Sequence, residues 1–363
     1  DTSGAGDFST ATRGRIVVIY GSLAGPQIGN STGRIRRFLP GDPNTVAEVT
    51  AKNPCTLDGS YTPPRSICKV QMLASTLAAP SRFAQSVVAV PSLETSLKSD
   101  GILVGDPLVN NDQGAAYHFR GSSSGLEAAP RQTFIPHENS HKFGASVASL
   151  GDVNGDTLPD IAISAPISNG SGTDNPSIYV FYGSTAGGVA KFSGATSLAS
   201  TDYWTTAPVL NALHASAADL KPQVIRPVGV TIGEAFGEGM AGGIDFNKDG
   251  YNDLLVNVPL GNYNLDVSLT AAGYVLVYFG GPLGIRSLEA VSPNPKCYGD
   301  ALSFCDPFQI FLPDRTEREY TYLSPEPVGD INGDGVPDLI IGGVGRPHPS
   351  GKAFSTGVIY VVY

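Results

Sequence analysis

The 363 residues carry a formal charge of −10, with 41% apolar and only 15% charged side chains, 44 Gly and 28 Pro. The acidity argues against nucleic acid and anionic membrane surfaces as partners, and the Gly- and Pro-rich composition favours many short strands over helices. A chain of this length exceeds the size at which one compact core normally stops growing, so it is expected to hold two domains or an array of repeats.

Residues 1–22 lack a signal-peptide pattern, so any such segment is expected to have been removed or to lie upstream, and no apolar run approaches the ~18 residues of a membrane span. Four kinds of short apolar segment then recur along the chain. The first kind reads RFAQSVVAV (82–90), KFGASVASL (142–150), AFGEGMAGGI (235–244) and, degenerately, YTYLSPEPV (320–328). The second reads GILVGDP, DIAISAP, DLLVNVP and DLIIGG. The third is rich in aromatics: GRIVVIYGS (14–22), GAAYHFRGS (114–122), SIYVFYGS (177–184), GYVLVYFGG (273–281) and GVIYVVY (357–363). The fourth ends in Pro: RRFLP (36–40), QTFIP (132–136), QVIRP (223–227) and QIFLP (309–313). Each unit thus supplies four short strands, the content of one propeller blade. The units are 23–122, 123–184, 185–281 and 282–363, after a lone strand at 14–22. Insertions are expected at 41–81, 185–222 and 282–308. Within 185–222, the stretch APVLNALHASAADL has helical spacing and predicts one short helix.

Between the first and second strands of three units the chain reads D-x-N-x-D-x-x-x-D. The residues are Asp152, Asn154, Asp156 and Asp160; then Asp245, Asn247, Asp249 and Asp253; then Asp330, Asn332, Asp334 and Asp338. Crowded carboxylates repel, and the crowding is relieved when a divalent cation sits among them. Oxygens at positions 1, 3 and 5 of a tight loop, a backbone carbonyl at position 7 (Leu158, Tyr251 or Val336) and Asp at position 9 make an all-oxygen set. Without Cys or His, such a set selects calcium over zinc or copper. An EF-hand needs Glu at position 12, where this chain has Ile163, Val256 and Ile341, so the reading is three calcium loops inside β-hairpins. Treated purely as a ligand, Asp160 replaced by Ala is expected to lower the melting temperature in calcium and leave it unchanged in chelator. Three bound ions would bring the net charge to about −4.

The four cysteines form two close pairs, Cys55 with Cys68 and Cys297 with Cys305. Three pairings are arithmetically open, and the local one is the simplest. Lacking metal-finger spacing, they read as disulfides of an oxidising compartment, each closing a loop worth roughly 3 kcal/mol in the chain-entropy model. No nucleophile elbow, phosphate-binding loop or nucleophilic Cys/His arrangement is present, and HENSH (137–141) has its Glu in the wrong order for a zinc protease. A non-enzyme is expected.

The F-G…D-x-N-x-D-G-x-x-D…A-P pattern resembles the FG-GAP repeat of integrin α-subunit β-propellers. Phe143-Gly144 and Phe236-Gly237 match FG, and Ala165-Pro166 matches the end of GAP. The resemblance implies an all-β propeller of four-stranded antiparallel blades, with calcium held by the loop residues named above. Departures are also present. Ser92, Glu94 and Ser96 stand where the first unit would need ligands, the last unit lacks FG and has GVGRP in place of GAP, and Thr157 replaces the usual loop Gly. Four units against the family's seven blades imply a part of a larger ring, completed by a further chain. The alternative is a small closed ring in which residues 14–22 complete the last blade.

The resemblance implies a secreted or cell-surface module that recognises a protein partner. Tyr61, Tyr203 and Trp204, aromatics of the insertions, are candidate contacts. Alternatives are a glycan-binding lectin, a calcium-dependent polysaccharide lyase, or a structural subunit of a surface assembly. Two sequons, at Asn30 and Asn169, fit any of these.

Overall fold

Runs of β-branched and aromatic residues bounded by Gly, Pro and Asp form strands here because each can be buried on both faces. The computed structural model describes residues 15–19, 70–74, 81–92, 99–122, 125–127, 129–136, 142–166, 176–183, 223–225, 235–259, 273–282, 284–285, 308–311, 322–347 and 355–363. Among them every element is a strand.

In the unit Asp1–Ala84, β1 (Arg15–Ile19) pairs antiparallel with β2 (Val70–Ala74), so a strand lies inside the expected insertion 41–81. The unit Gln85–Tyr363 holds four larger sheets built to one plan. The first contains β3 (Val87–Val90), β4 (Gly101–Asp106) and β5 (Ala115–Phe119). After a two-stranded excursion, β6 (Gly121–Ser122) with β7 (Gly125–Leu126), it adds β8 (Gln132–Phe134). The second contains β9 (Val147–Gly151), β10 (Asp160–Ala165), β11 (Ser177–Phe181) and β12 (Gln223–Ile225). The third contains β13 (Met240–Ile244), β14 (Asp253–Val258), β15 (Tyr274–Tyr278) and β16 (Phe308–Phe311). The fourth contains β17 (Tyr322–Pro327), β18 (Leu339–Pro347) and β19 (Ser355–Val362). Within each sheet strands follow chain order and pair antiparallel.

The sheets run out of phase with the sequence units. Each outer strand pairs with the aromatic strand that precedes it: Phe134 lies opposite Ala116, Ile225 opposite Ile178 and Phe311 opposite Val275. A sheet therefore closes across the unit boundaries at 122/123, 184/185 and 281/282, with its outer strand taken from the opening of the following unit. Such a phase is invisible in the repeat itself, because a repeat has the same period wherever counting starts.

Alternation along the central strands decides which neighbour each side chain meets. In β10, Ile161, Ile163 and Ala165 join Leu103, Ala116 and Phe134 of the first sheet, whereas Ala162 turns to the third. In β14, Leu254, Val256 and Val258 face the second sheet and Leu255 faces Leu339 and Ile341 of the fourth. β10 and β14 are buried along their whole length, hence their continuous apolar reading.

Before the first strand of a sheet comes the Phe-Gly turn. Phe143 is fully buried, its ring edge-on to Tyr179 at 5.1 Å. Gly144 has φ +88, and a Cβ there would lie 2.3 Å from the Ala115 carbonyl oxygen of the preceding sheet, so only glycine fits. Adjacent sheets are also stitched by hydroxyls: Val147 N–H donates to Ser86 Oγ at 3.0 Å and Met240 N–H to Ser146 Oγ at 3.2 Å.

Candidate metal centre

Each acidic loop occupies the hairpin between the first and second strands of its sheet. In the second sheet the chain winds around the first carboxylate. Asp152 Oδ1 accepts the amides of Asn154, Gly155 and Asp156 at 3.3, 2.7 and 3.1 Å, and Oδ2 accepts Thr157 N–H at 2.7 Å. Asp156 Oδ1 accepts Leu158 N–H at 2.8 Å, and Asn154 Nδ2 donates to Asp156 Oδ2 at 3.2 Å. The other loops repeat this. Asp245 accepts Asp249 and Gly250 amides at 3.1 and 2.8 Å, and Asp249 accepts Tyr251 N–H at 3.0 Å. Asp330 accepts Gly333, Asp334 and Gly335 amides at 2.6, 3.1 and 2.6 Å, and Asp334 accepts Val336 N–H at 2.7 Å. Such Asx-type bonding fixes the loop's curvature and leaves the residues at positions 1, 3, 5 and 7 on one tight turn.

The ninth residue has a second job that spacing alone does not reveal. Asp160 is fully buried; its Oδ2 accepts Val153 N–H at 2.9 Å and its Oδ1 accepts Gly183 N–H, just past β11, at 2.8 Å. Asp253 does the same with Phe246 N–H at 2.7 Å and Gly280 N–H at 3.0 Å. Each clasps its loop to the end of the third strand. In the fourth sheet Asp338 Oδ2 accepts Ile331 N–H at 2.5 Å, but Oδ1 is buried with no hydrogen-bond partner among the described residues. In the first sheet Gly101, before the Ile102–Phe119 pair, stands at the sheet register that Asp160 holds in the second, and Asp100 is ninth counting from Ser92. Residues 93–98 of that hairpin lie outside the described residues.

These carboxylates sit uneasily without a cation. Burial pushes Asp160 well above the usual carboxylate range, with the charges of Asp156 and Asp152 adding to it against the two amide bonds. Asp253 is pushed up to about 6, by burial first and then Asp249 and Asp245. Among the described residues no three His, Cys, Asp or Glu side chains converge as a ready cage. The donor chemistry nevertheless suits a hard cation: oxygens only, with two carboxylates and one amide oxygen per turn.

Neighbouring loops touch. Asn252 N–H donates to the Asp152 carbonyl at 2.9 Å, and a Cβ on Gly155 would lie 2.7 Å from the Tyr251 ring. Behind them Tyr182 Oη bonds Gln223 Oε1 at 2.6 Å and accepts Ile285 N–H at 3.1 Å, while Gln223 Nε2 donates to the Ile285 carbonyl at 2.8 Å. This buried network ties the second sheet to the third. Sequence reasoning missed it, although the Gln recurring in these outer strands, Gln132, Gln223 and Gln309, was a signal. Cys55, Cys68, Cys297, Cys305, Tyr61, Tyr203, Trp204, Asn30, Asn169 and the expected helix in 185–222 all lie outside the described residues.

Phe-Gly turns, acidic hairpin loops and antiparallel four-stranded sheets together define an FG-GAP repeat protein, and the FG-GAP repeat family matches residues 143–181 and 236–278. Both matches run from the buried Phe to the third strand. The chain is integrin α-like: it is 28% identical to integrin alpha-5 of Xenopus laevis over 227 residues, covering 60% of this chain and 18% of that protein. It is 25% identical to integrin alpha-E of Mus musculus over 179 residues (47% and 13%) and 37% identical to human integrin alpha-10 over 89 residues (23% and 8%). The chain thus spans less than a fifth of these relatives.

Proposed function

We propose that this chain is a calcium-stabilised part of an FG-GAP propeller, acting outside the cell as a non-catalytic module that recognises a protein partner. The observation that carries this reading is the same loop, wound around its first Asp, in three successive sheets of integrin α-like repeats. Asp152, Asn154 and Asp156 with the Leu158 carbonyl would hold one ion, and their counterparts in the other loops two more, with the ninth Asp closing each set. Bound calcium would neutralise the crowded carboxylates and stiffen the hairpins. Among the described residues no helix is long and apolar enough to cross a membrane.

Ile178, Val180 and Tyr182 of the second sheet are covered by the third. Their register equivalents in β19 and just beyond, Ile359, Val361 and Tyr363, are 70, 41 and 66% exposed. That row corresponds to the face that the second sheet presents to the third. Native mass spectrometry with calcium and after chelation tests the metal: three ions lost on chelation support it, and a metal-free spectrum in millimolar calcium sinks it. Retention of an extracellular protein by the immobilised chain, released by chelator, supports recognition. Binding confined to a glycan array, or unsaturated products from polyuronate, would replace it with a carbohydrate function.

A further inference from the structure

The third acidic loop lies between the other two and presents different chemistry to each. Towards the second it offers the uncharged Tyr251 ring, seated on Gly155. Towards the fourth it offers Lys248, whose Nζ lies 3.7 Å from the point where a Cβ would stand on Gly335. Gly335 directly follows Asp334, the fifth-position carboxylate of that loop.

The backbone marks Lys248 as unusual. At the fourth loop position the other two loops have glycine, Gly155 at φ +80 and Gly333 at φ +79, and Lys248 adopts the same left-handed backbone at φ +58. An L residue is strained there. Nothing blocks the space around Gly333, so sterics do not force the choice of residue at this position in general. The strain at Lys248 is offset if its ammonium acts where it points.

We propose that Lys248 is a built-in counter-cation for the fourth loop, so that Asp330–Asp338 takes calcium more weakly than the same loop would without it. The proposal rests on the calcium reading above. The ammonium partly neutralises the metal-free loop, and it repels a divalent ion arriving in it. The second loop meets the uncharged Tyr251 ring at the corresponding contact, so as calcium rises the fourth loop fills after the second. For a unit charge at loop-to-loop distance from a divalent ion in exposed surroundings, the effect on affinity is about threefold at ordinary salt and about tenfold at low salt.

The experiment is a calorimetric calcium titration of the full chain at low and at physiological salt. It compares the parent, Lys248→Met, which keeps the stem and drops the charge, and Lys248→Arg, which keeps the charge. The same substitutions are repeated in an Asp334→Asn background, isosteric and still able to accept the Val336 amide. The Met variant is expected to tighten the weakest site by about three- to tenfold, the gain shrinking with salt, with Arg behaving as the parent and no gain in the Asp334→Asn background. A Met variant that titrates like a calcium-binding parent overturns this proposal alone, as does a gain that survives Asp334→Asn. A parent that binds no calcium overturns the calcium reading with it.

Discussion

Replacing Asp160 by Ala separates two roles that its spacing alone merges. Its carboxylate is fully buried, and its oxygens accept the Val153 and Gly183 amides at 2.9 and 2.8 Å. Two hydrogen bonds to a charged acceptor are worth about 1.5–3 kcal/mol each, so the gross loss is about 3–6 kcal/mol. Part of this returns, because burial and the neighbouring Asp156 and Asp152 destabilise the carboxylate itself. The net loss should be about 2–4 kcal/mol with no metal present. Asp338→Ala is the internal comparison: its Oδ2 accepts the Ile331 and Asn332 amides at 2.5 and 3.4 Å, and its Oδ1 has no partner among the described residues, so a smaller loss is expected. Urea unfolding in chelator, then in saturating calcium, measures both. The expectation from spacing, that chelator erases the Asp160 effect, is thereby reversed; calcium should enlarge a difference already present. If Asp160→Ala unfolds with the parent in chelator, or Asp338→Ala is as damaging as Asp160→Ala, the clasp argument is wrong.

Four further outcomes are expected. Tyr182→Phe leaves Gln223 Oε1 and the Ile285 amide without their buried partner and should cost about 1–3 kcal/mol in denaturant unfolding. Gly144→Ala, with φ +88 and a carbonyl oxygen 2.3 Å from the new Cβ, should destabilise more than Gly237→Ala, whose nearest neighbour would be Ser164 Cβ at 3.2 Å; thermal melts of the pair decide it. Thr157→Gly relieves a β-branched residue at φ +70 where the other loops have Gly250 and Gly335, and should raise stability by roughly 1 kcal/mol in chelator. Tyr117, Tyr182 and Tyr278 are all pushed above the ordinary phenol value of 10.0 by burial. They stay protonated in the fold while the unfolded chain loses three protons. Their contribution is intact below pH about 10 and falls by about 4 kcal/mol per pH unit above it, until the folded phenols titrate; alkaline unfolding curves check the slope.

The repeat, its four strand types and the three acidic loops were legible in the residues because each depends on local rules. Period-2 burial writes continuous apolar runs into strands covered on both faces, as in Asp253–Val258, and tight-turn chemistry writes Asp, Asn and Gly at set spacings. The Phe-Gly turn was legible for the same reason, since Gly144 alone fits its backbone and its neighbour. Sheet phase was not: the Gln132–Phe134 strand can be counted with either neighbour in sequence, and only the pairing of Ala116 with Phe134 assigns it.

What the chain alone determined, then, is which residues turn, which are buried and which gather oxygen. Tertiary structure decided what those groups face. The ninth Asp meets an amide 23 residues further along in the second sheet and 27 in the third; Tyr182 meets Ile285 across 103 residues; Lys248 reaches a loop on the next sheet. These pairings arise from stacking one sheet on another. Backbone amides and ammonium groups carry no residue-specific spacing signal, and so only the packed sheets reveal that a residue spaced like a ligand is also a clasp.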